Sequence, residues 1–372
     1  FVHFIHKPFP AAYNHFDISG LDILSQEQYI IKYMENDRQD RWDISSPPLW
    51  RMATFNRGND KICAVWVFHH AILDGWSNAS LMTELNNVYL ALKANNDYTP
   101  TSLKISYKDF VTREMVEKKK MGNIDFWKRE LEDYKRVSFP GVGKNKPGEF
   151  HDFVPPPLMI SNENLLNAAR RYNTSLKHIC FAAYVYMLRM LTYEGDLVVG
   201  LVSNNRPELE DGDKLAGCFL NTLPFRIHIP AGITWADYIR MVDGKLLRLK
   251  QYEKISFFEI VKIIGERNRG ENPIFDTIFN YVDFHIYNQV VEVNDQVGQD
   301  SGMLIQGYER TNTLFDLTIR PTSTGIRVSL RYSTSIASDE IVKQLYGYFE
   351  KILTLMFSHT EKLIKNDEIL SD

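Results

Sequence analysis

Apolar residues recur along this chain in two periods. Residues 61–68, KICAVWVF, form a nearly unbroken β-prone run ending at two histidines, which predicts a buried strand of about eight residues. A helix is predicted after the loop AILDG, because Leu81, Leu85, Val88 and Leu92 recur every three or four positions and share one face. A second amphipathic helix covers roughly 123–135, NIDFWKRELEDY. Farther on, Ser161 is placed to cap one helix, and Thr174 or Ser175 a long one running through Leu191. Strand runs follow at 196–203, DLVVGLVS, and from Phe219 to Ile229. Helices are predicted near 233–250 and 256–265, and strands near 274–284, 303–309, 313–320 and 325–332. A last helix spans about 338–358, with Ile341, Leu345, Phe349, Leu353 and Phe357 on one stripe.

Helices interleaved with strands in both halves predict two α/β lobes. Between them, residues 137–157 hold five prolines and three glycines, a density that no helix or central strand survives. That stretch is read as a linker, dividing the chain into an N-terminal lobe, 1–145, and a C-terminal lobe, 146–372. No internal repeat of fixed period is visible.

Composition narrows the class. With 372 residues, 44% of them hydrophobic and 24% charged, the chain is neither disordered nor collagenous. A formal charge of −4, with no basic tract beyond Lys118 to Lys120, argues against nucleic acid as a partner. No apolar stretch approaches the length of a transmembrane helix, so no membrane partner is expected. Cys63, Cys180 and Cys218 each sit in an apolar run, so buried reduced thiols in a cytoplasmic protein are expected. The opening FVHFIHKPFP has neither Met nor a signal-like run and reads as a piece of a longer chain.

The segment richest in reactive groups is His69-His70-Ala71-Ile72-Leu73-Asp74-Gly75-Trp76-Ser77. Side chains alternate on a strand, so if both histidines end the strand only one faces a given cleft. Imidazole titrates near neutral pH and suits proton transfer. Asp74-Gly75 would turn the chain into the next helix, where glycine permits positive φ or close approach and the helix start offers free N–H groups. Other readings stand beside this one. The histidines could be satisfied structural residues, His70 and Asp74 could be metal ligands lacking a third, or Asp74 could simply cap the helix. No G-x-S-x-G elbow, P-loop or G-x-G-x-x-G occurs, which leaves a serine hydrolase or an intrinsic nucleotide site without support.

HHAILDGWS resembles the HHxxxDG signature of condensation domains of nonribosomal peptide synthetases. Further motifs of that family follow in order. YKDF (Tyr107 to Phe110) is similar to YxDF, and DFWKREL (Asp125 to Leu131) to the helix after it. NNRPELED (Asn204 to Asp211) resembles the GRxxPE loop, and AGCFLNTLPFRI (Ala216 to Ile227) resembles GxFVNTLPLR. YEKISFFEIV (Tyr252 to Val261) resembles HQDYPFExL, with Lys254 and Ile255 departing from it. RGENPIFDTIFNY (Arg269 to Tyr281) resembles RxxxxNPLFDxxFNY. The family's first two motifs are absent, which implies a missing first segment of the N-terminal lobe. The active-site string lacks the DxxxxD replacement of heterocyclisation domains and differs from the DGVSW of epimerisation domains. It looks most like the subtype taking an L-configured donor or a starter acyl group.

The resemblance implies a chloramphenicol acetyltransferase-like α/β fold, two lobes in a V-shaped pseudo-dimer with a central tunnel. It implies amide bond formation, in the biosynthesis of secondary metabolites such as antibiotics. Donor and acceptor peptidyl carrier protein domains, next to an adenylation domain, bring substrates on 4'-phosphopantetheine arms, with no cofactor bound directly and no metal. His70 then orients the acceptor amine or accepts its proton, the N–H of Gly75 faces the developing oxyanion, and His69 supports the structure. Asp74 is architectural and pairs with Arg206. Asn280, Phe315 and Asp316 would lie near the tunnel, Asn280 reading almost equally as a turn or core amide. Trp76 and Phe219 read as tunnel lining or, more strongly, as core, and Asn221 as structural. Two alternatives stay open: a free-standing acyl-CoA-dependent acyltransferase of the same fold, and a non-catalytic domain that recruits a carrier or another partner.

Overall fold

The apolar run becomes strand β3 (Ile62–Phe68) and the loop after it leads into helix α2 (Gly75–Lys93), but the strand is not the buried one expected, since Cys63 is its one buried residue and Ile62 and Ala64 are exposed. The computed structural model describes residues 11–94, 98–99, 101–137, 139, 148–158, 162–266, 272–283, 311–322, 325–358 and 361–370. They fall into two compact units. The first draws its described residues from 11–107 and 208–219, and the second from 108–207, 220–283 and 311–370.

The first unit holds β1 (Tyr13–Asp17), α1 (Ile23–Gln39), β2 (Trp50–Asn56), β3 and α2. Its sheet runs β1-β2-β3, with β1 parallel to β2 and β3 antiparallel to it. The β2–β3 turn puts Gly58, Asn59 and Asp60 at φ of 76°, 52° and 58°, values that glycine and short polar side chains tolerate. Phe55 is fully buried at the centre of a small core, stacked on Phe16 at 5.3 Å and meeting Tyr33 edge-on at 5.3 Å. The apolar pattern predicted neither β1, α1 nor β2. In α1 the reason is visible, since one of its two buried positions is Gln26, whose amide donates to the carbonyls of Ile18, Leu21 and Arg57, while Ile23 and Leu24 are exposed. The predicted stripe of α2 is also not a buried one, because Leu85 and Leu92 are exposed and the helix buries Ser77.

The second unit is built on a six-stranded mixed sheet in the order β4-β9-β8-β7-β5-β6. These strands are β4 (Phe150–Phe153), β5 (Asp196–Asn204), β6 (Leu220–His228), β7 (Thr277–Tyr281), β8 (Phe315–Pro321) and β9 (Ile326–Ser333). The inner pairs β5/β7 and β7/β8 are parallel, and the others antiparallel. Helix α6 (Leu176–Thr192) is capped by Ser175, whose side chain accepts from the His178 N–H. It buries every residue from Ile179 to Leu188, as an all-round apolar helix must. The other helices are α3 (Tyr107–Glu117), α4 (Met121–Glu130), α5 (Asn162–Tyr172), α7 (Trp235–Lys250), α8 (Phe257–Ile263), α9 (Asp339–Ser358) and α10 (Asn366–Leu370). Among the described residues, no helix is long and apolar enough to cross a membrane.

Three expectations are corrected here. The stripe of α9 is Val342, Leu345, Phe349, Ile352, Leu353 and Met356, while Ile341 is exposed and Phe357 half-buried. Steps of four residues drift about 40° per turn from a 3.6-residue period, so a strict four-residue ladder leaves the buried face. The stretch read as a linker contains β4, which survives beside its prolines because it lies at the sheet edge and pairs only with β9. The compact units also do not divide at 145/146. Phe126 of α4 stacks on Tyr252 with centroids 3.8 Å apart, Lys245 Nζ lies 2.9 Å from Glu130 Oε1, and Trp127 is fully buried in the second core. Burial, rather than proline density, therefore sets the division. The strand near 303–309 and the cap at Ser161 lie outside the described residues.

One packing constraint of this sheet is directly testable. A Cβ built on Gly200 in β5 would lie 2.5 Å from the fully buried Phe275 ring. Gly200→Ala should cost about 1–3 kcal/mol, as overpacking does. Urea unfolding measures it, and an unchanged midpoint would show that the ring has room to yield.

Candidate active site

The chain leaves β3 at Phe68, so both histidines lie just beyond the strand rather than in it. His69 donates its backbone N–H to Leu49 O at 2.9 Å. Its ring Nδ1 accepts from the Ala71 N–H at 3.1 Å and its ring meets Trp42 edge-on at 6.3 Å. An Nδ1 that accepts leaves the neutral proton on Nε2, so this half-buried ring is tied into the local fold. His70 is exposed in the turn, its ring 6.5 Å from that of Phe68. Its Nδ1 lies 4.0 Å from the Cys218 thiol.

Asp74 caps α2. Its carboxylate is fully buried and accepts from the Ser77 N–H at 2.7 Å through Oδ1, the geometry of an N-cap. Its other oxygen accepts from the Phe219 N–H at 3.0 Å, and its own N–H donates to Gly217 O at 3.0 Å. Ser77, also fully buried, donates its hydroxyl to Gly217 O at 2.7 Å and accepts from the Gly217 N–H at 3.1 Å. Trp76 donates its indole N–H to Asp213 O at 2.9 Å, and Tyr107 donates its hydroxyl to Cys218 O at 2.9 Å. Residues 213–219 thus form a strap whose backbone is held by side chains of the DGWS turn and by Tyr107. Across the turn, Trp66 Nε1 donates to Asn78 Oδ1 at 3.0 Å and ties β3 to α2.

Gly75 is the exposed first residue of α2, where a backbone N–H has no intrahelical acceptor. It does not use positive φ, which among the described glycines occurs at Gly58, Gly232 and Gly265. The close approach falls instead at Gly217, where a Cβ would lie 2.4 Å from the Tyr107 ring. Gly217, Ser77, Tyr107 and Cys218 were all missed as site residues. The AGCF and YKDF strings pointed to their neighbourhood, but nothing local paired segments some 140 residues apart. Phe219 is core, fully buried against Tyr107 at 5.3 Å.

The remaining residues named from the sequence lie in the second unit. Arg206 follows β5 half-buried, its backbone N–H donating to Asn204 Oδ1 at 3.0 Å. Asn280 is half-buried on β7 opposite Thr318. Phe315 is fully buried between Phe139 and Tyr184, packing as core. Asp316 is a buried carboxylate accepting from the hydroxyls of Thr311, at 2.7 Å, and Thr313. Asn221 is a structural amide, donating to Glu253 O and Ile255 O and accepting from the Phe257 N–H. Cys63 and Cys180 are buried as expected, and burial pushes the Cys180 thiol up to about 12 and raises that of Cys63. Cys218 departs from the expectation and is only half-buried. Among the described residues, no group of three His, Cys, Asp or Glu is placed to hold a metal.

Removing the Asp74 carboxylate takes away the α2 cap, worth about 1 kcal/mol, and strands the buried Phe219 N–H, costing about 1–3 kcal/mol. Asp74→Ala should therefore lose about 2–4 kcal/mol in urea unfolding, with Asp74→Asn recovering part of it. A soluble, fully stable but inactive Asp74→Ala protein would reassign the residue from architecture to chemistry.

Comparison with known proteins gives the family. The family model for the condensation domain matches residues 1–372. A plipastatin synthase from Bacillus subtilis is 25% identical over 366 residues, covering 95% of this chain and 14% of the synthase, so the chain spans only a small part of that relative's length. The first condensation domain of the calcium-dependent antibiotic synthetase shares the fold with a TM-score of 0.69, at 18% identity over 95% of this chain and 80% of that one. A chain from the complex of the X-domain and OxyB of teicoplanin biosynthesis reaches 0.79, at 15% identity over 99% of this chain and 82% of that one. With its HHAILDGWS turn in place and the family model matched from end to end, this chain belongs to the condensation domain family.

Proposed function

We propose that this domain forms an amide bond between a donor acyl or peptidyl thioester and the α-amine of an acceptor aminoacyl thioester, both delivered on the 4'-phosphopantetheine arms of carrier proteins. The observation that carries the proposal is that His70 is exposed in the turn leading into α2 and that α2 itself opens on an exposed Gly75, with the buried Asp74 between them fixed by the Ser77 and Phe219 N–H groups. The family match and the synthase relative support the same reading. The donor is an L-configured residue or a starter acyl group, a neighbouring adenylation domain loads the acceptor carrier, and the setting is cytoplasmic secondary-metabolite biosynthesis.

The chemistry asks little of the protein. A thioester is already activated, and a free α-amine with a pKa of about 7.7–8 is partly neutral at pH 7. Holding both reactants together supplies about 7–11 kcal/mol, while a placed proton acceptor adds about 10²–10⁴-fold. Positioning therefore dominates. His70 orients the reactants or takes the amine proton as the C–N bond forms, and the Gly75 N–H stabilises the developing oxyanion.

His70→Ala should abolish product when both carriers are loaded, as read by mass spectrometry of the acceptor carrier. Activity within about threefold of wild type would remove His70 from the mechanism. Acyl-CoA replacing the loaded donor carrier at equal rate would favour a free-standing acyltransferase, and carrier binding without turnover would favour a recruiting domain.

A further inference from the structure

The strap at 213–219 is more tightly specified than a connecting loop requires. Over three consecutive residues, four backbone groups are taken by partners from other segments. Gly217 N–H and O are held by Ser77, Gly217 O also by the Asp74 N–H, Cys218 O by Tyr107, and Phe219 N–H by Asp74. The residue bracketed by these bonds is Cys218, and its thiol sulfur lies 4.0 Å from His70 Nδ1. Of the three cysteines in the sequence, Cys63 and Cys180 are buried in the two cores, whereas Cys218 is half-buried beside the candidate reactive ring.

We infer that Cys218 is a positioning residue for His70, its thiol donating to Nδ1 and holding the neutral imidazole as the Nε2–H tautomer. A thiol is a weak donor and a weaker acceptor, while the unprotonated imidazole nitrogen is a good acceptor, so S–H···Nδ1 is the better of the two possible polarities. The tautomer of a histidine follows from the bond made by its other nitrogen. In this form Nε2 carries a proton. It can then donate to a carbonyl oxygen, such as that of the donor thioester, and it cannot take the proton of the attacking amine. The inference rests on the amide-forming reading above, and it divides the two roles that reading allows His70 in favour of orientation.

The test is a long-range proton–nitrogen correlation spectrum of the folded domain labelled with [15N]histidine. The His70→Ala spectrum identifies the His70 signals among those of the ten histidines. In wild type, His70 should show an unprotonated Nδ1 and a protonated Nε2. Cys218→Ala should convert this to a mixture of tautomers, and Cys218→Ser, which keeps a donor, should restore it. In the carrier assay, Cys218→Ala should lower kcat roughly tenfold with KM little changed, far less than the loss from inverting a catalytic tautomer, and Cys218→Ser should recover most of it. A wild-type His70 protonated on Nδ1 would overturn the inference, and this result needs no variant to fold. An unchanged tautomer in Cys218→Ala would also overturn it. Because the spectrum needs no turnover, a wild-type domain inactive with loaded carriers would sink the functional reading while the tautomer could still be read.

Discussion

A buried carboxylate whose two oxygens accept backbone N–H groups from distant parts of the chain holds the candidate site together. Asp74 caps its own helix through Ser77 and, through Phe219, anchors a strap arriving from 145 residues away. In a region of low dielectric such a group is costly unless bonded, and once bonded it is specific, because an unmatched N–H and an unmatched carboxylate would each be penalised. Ser77 extends the same logic by pairing with both backbone groups of Gly217, as a neighbouring strand would. The result is a short turn, tied to the strap by backbone hydrogen bonds, that carries the exposed His70.

The second unit solves a different problem by different means. Its centre is a helix with ten consecutive buried residues lying against a six-stranded sheet. Two of its buried polar side chains among the described residues have clear structural tasks. Asn221 splices β6 to the segment before α8, and Asp316 gathers two threonine hydroxyls. Stability in this unit comes from apolar area and close packing, as the Gly200–Phe275 approach shows. The first unit has a small aromatic core around Phe55 and relies more on hydrogen bonds placed at chain reversals.

Legibility followed that contrast. Strongly apolar or strictly periodic segments were readable: α6, β5 and α7 because their burial is nearly complete or has a clean period, and β3 through its β-prone residues alone, since it buries only Cys63. Helix α1 was not, because buried Gln26 stands where a hydrophobic residue would have shown the face. The stripe on α2 suggested burial that its surroundings do not supply, since periodicity records a capacity for burial and not a partner. Phe315 and Asp316 were grouped as neighbours in sequence, yet one packs among aromatic rings and the other among hydroxyls, as alternation along a strand brings about.

By itself the sequence determined the local grammar of the site: a strand run ending before two histidines, an Asp to cap, a Gly to open the helix, and a string of motifs in order. Each of these depends on residues within a few positions of one another, where backbone geometry is nearly sufficient. Only the tertiary structure decided what surrounds His70. Cys218 reaches it from 148 positions away, on a strap held by Ser77 of the same HHAILDGWS string and by Tyr107, and no local signal joins these segments. Their pairing emerges when folding buries backbone groups that must find partners, and the partners available are those that the rest of the chain has brought close.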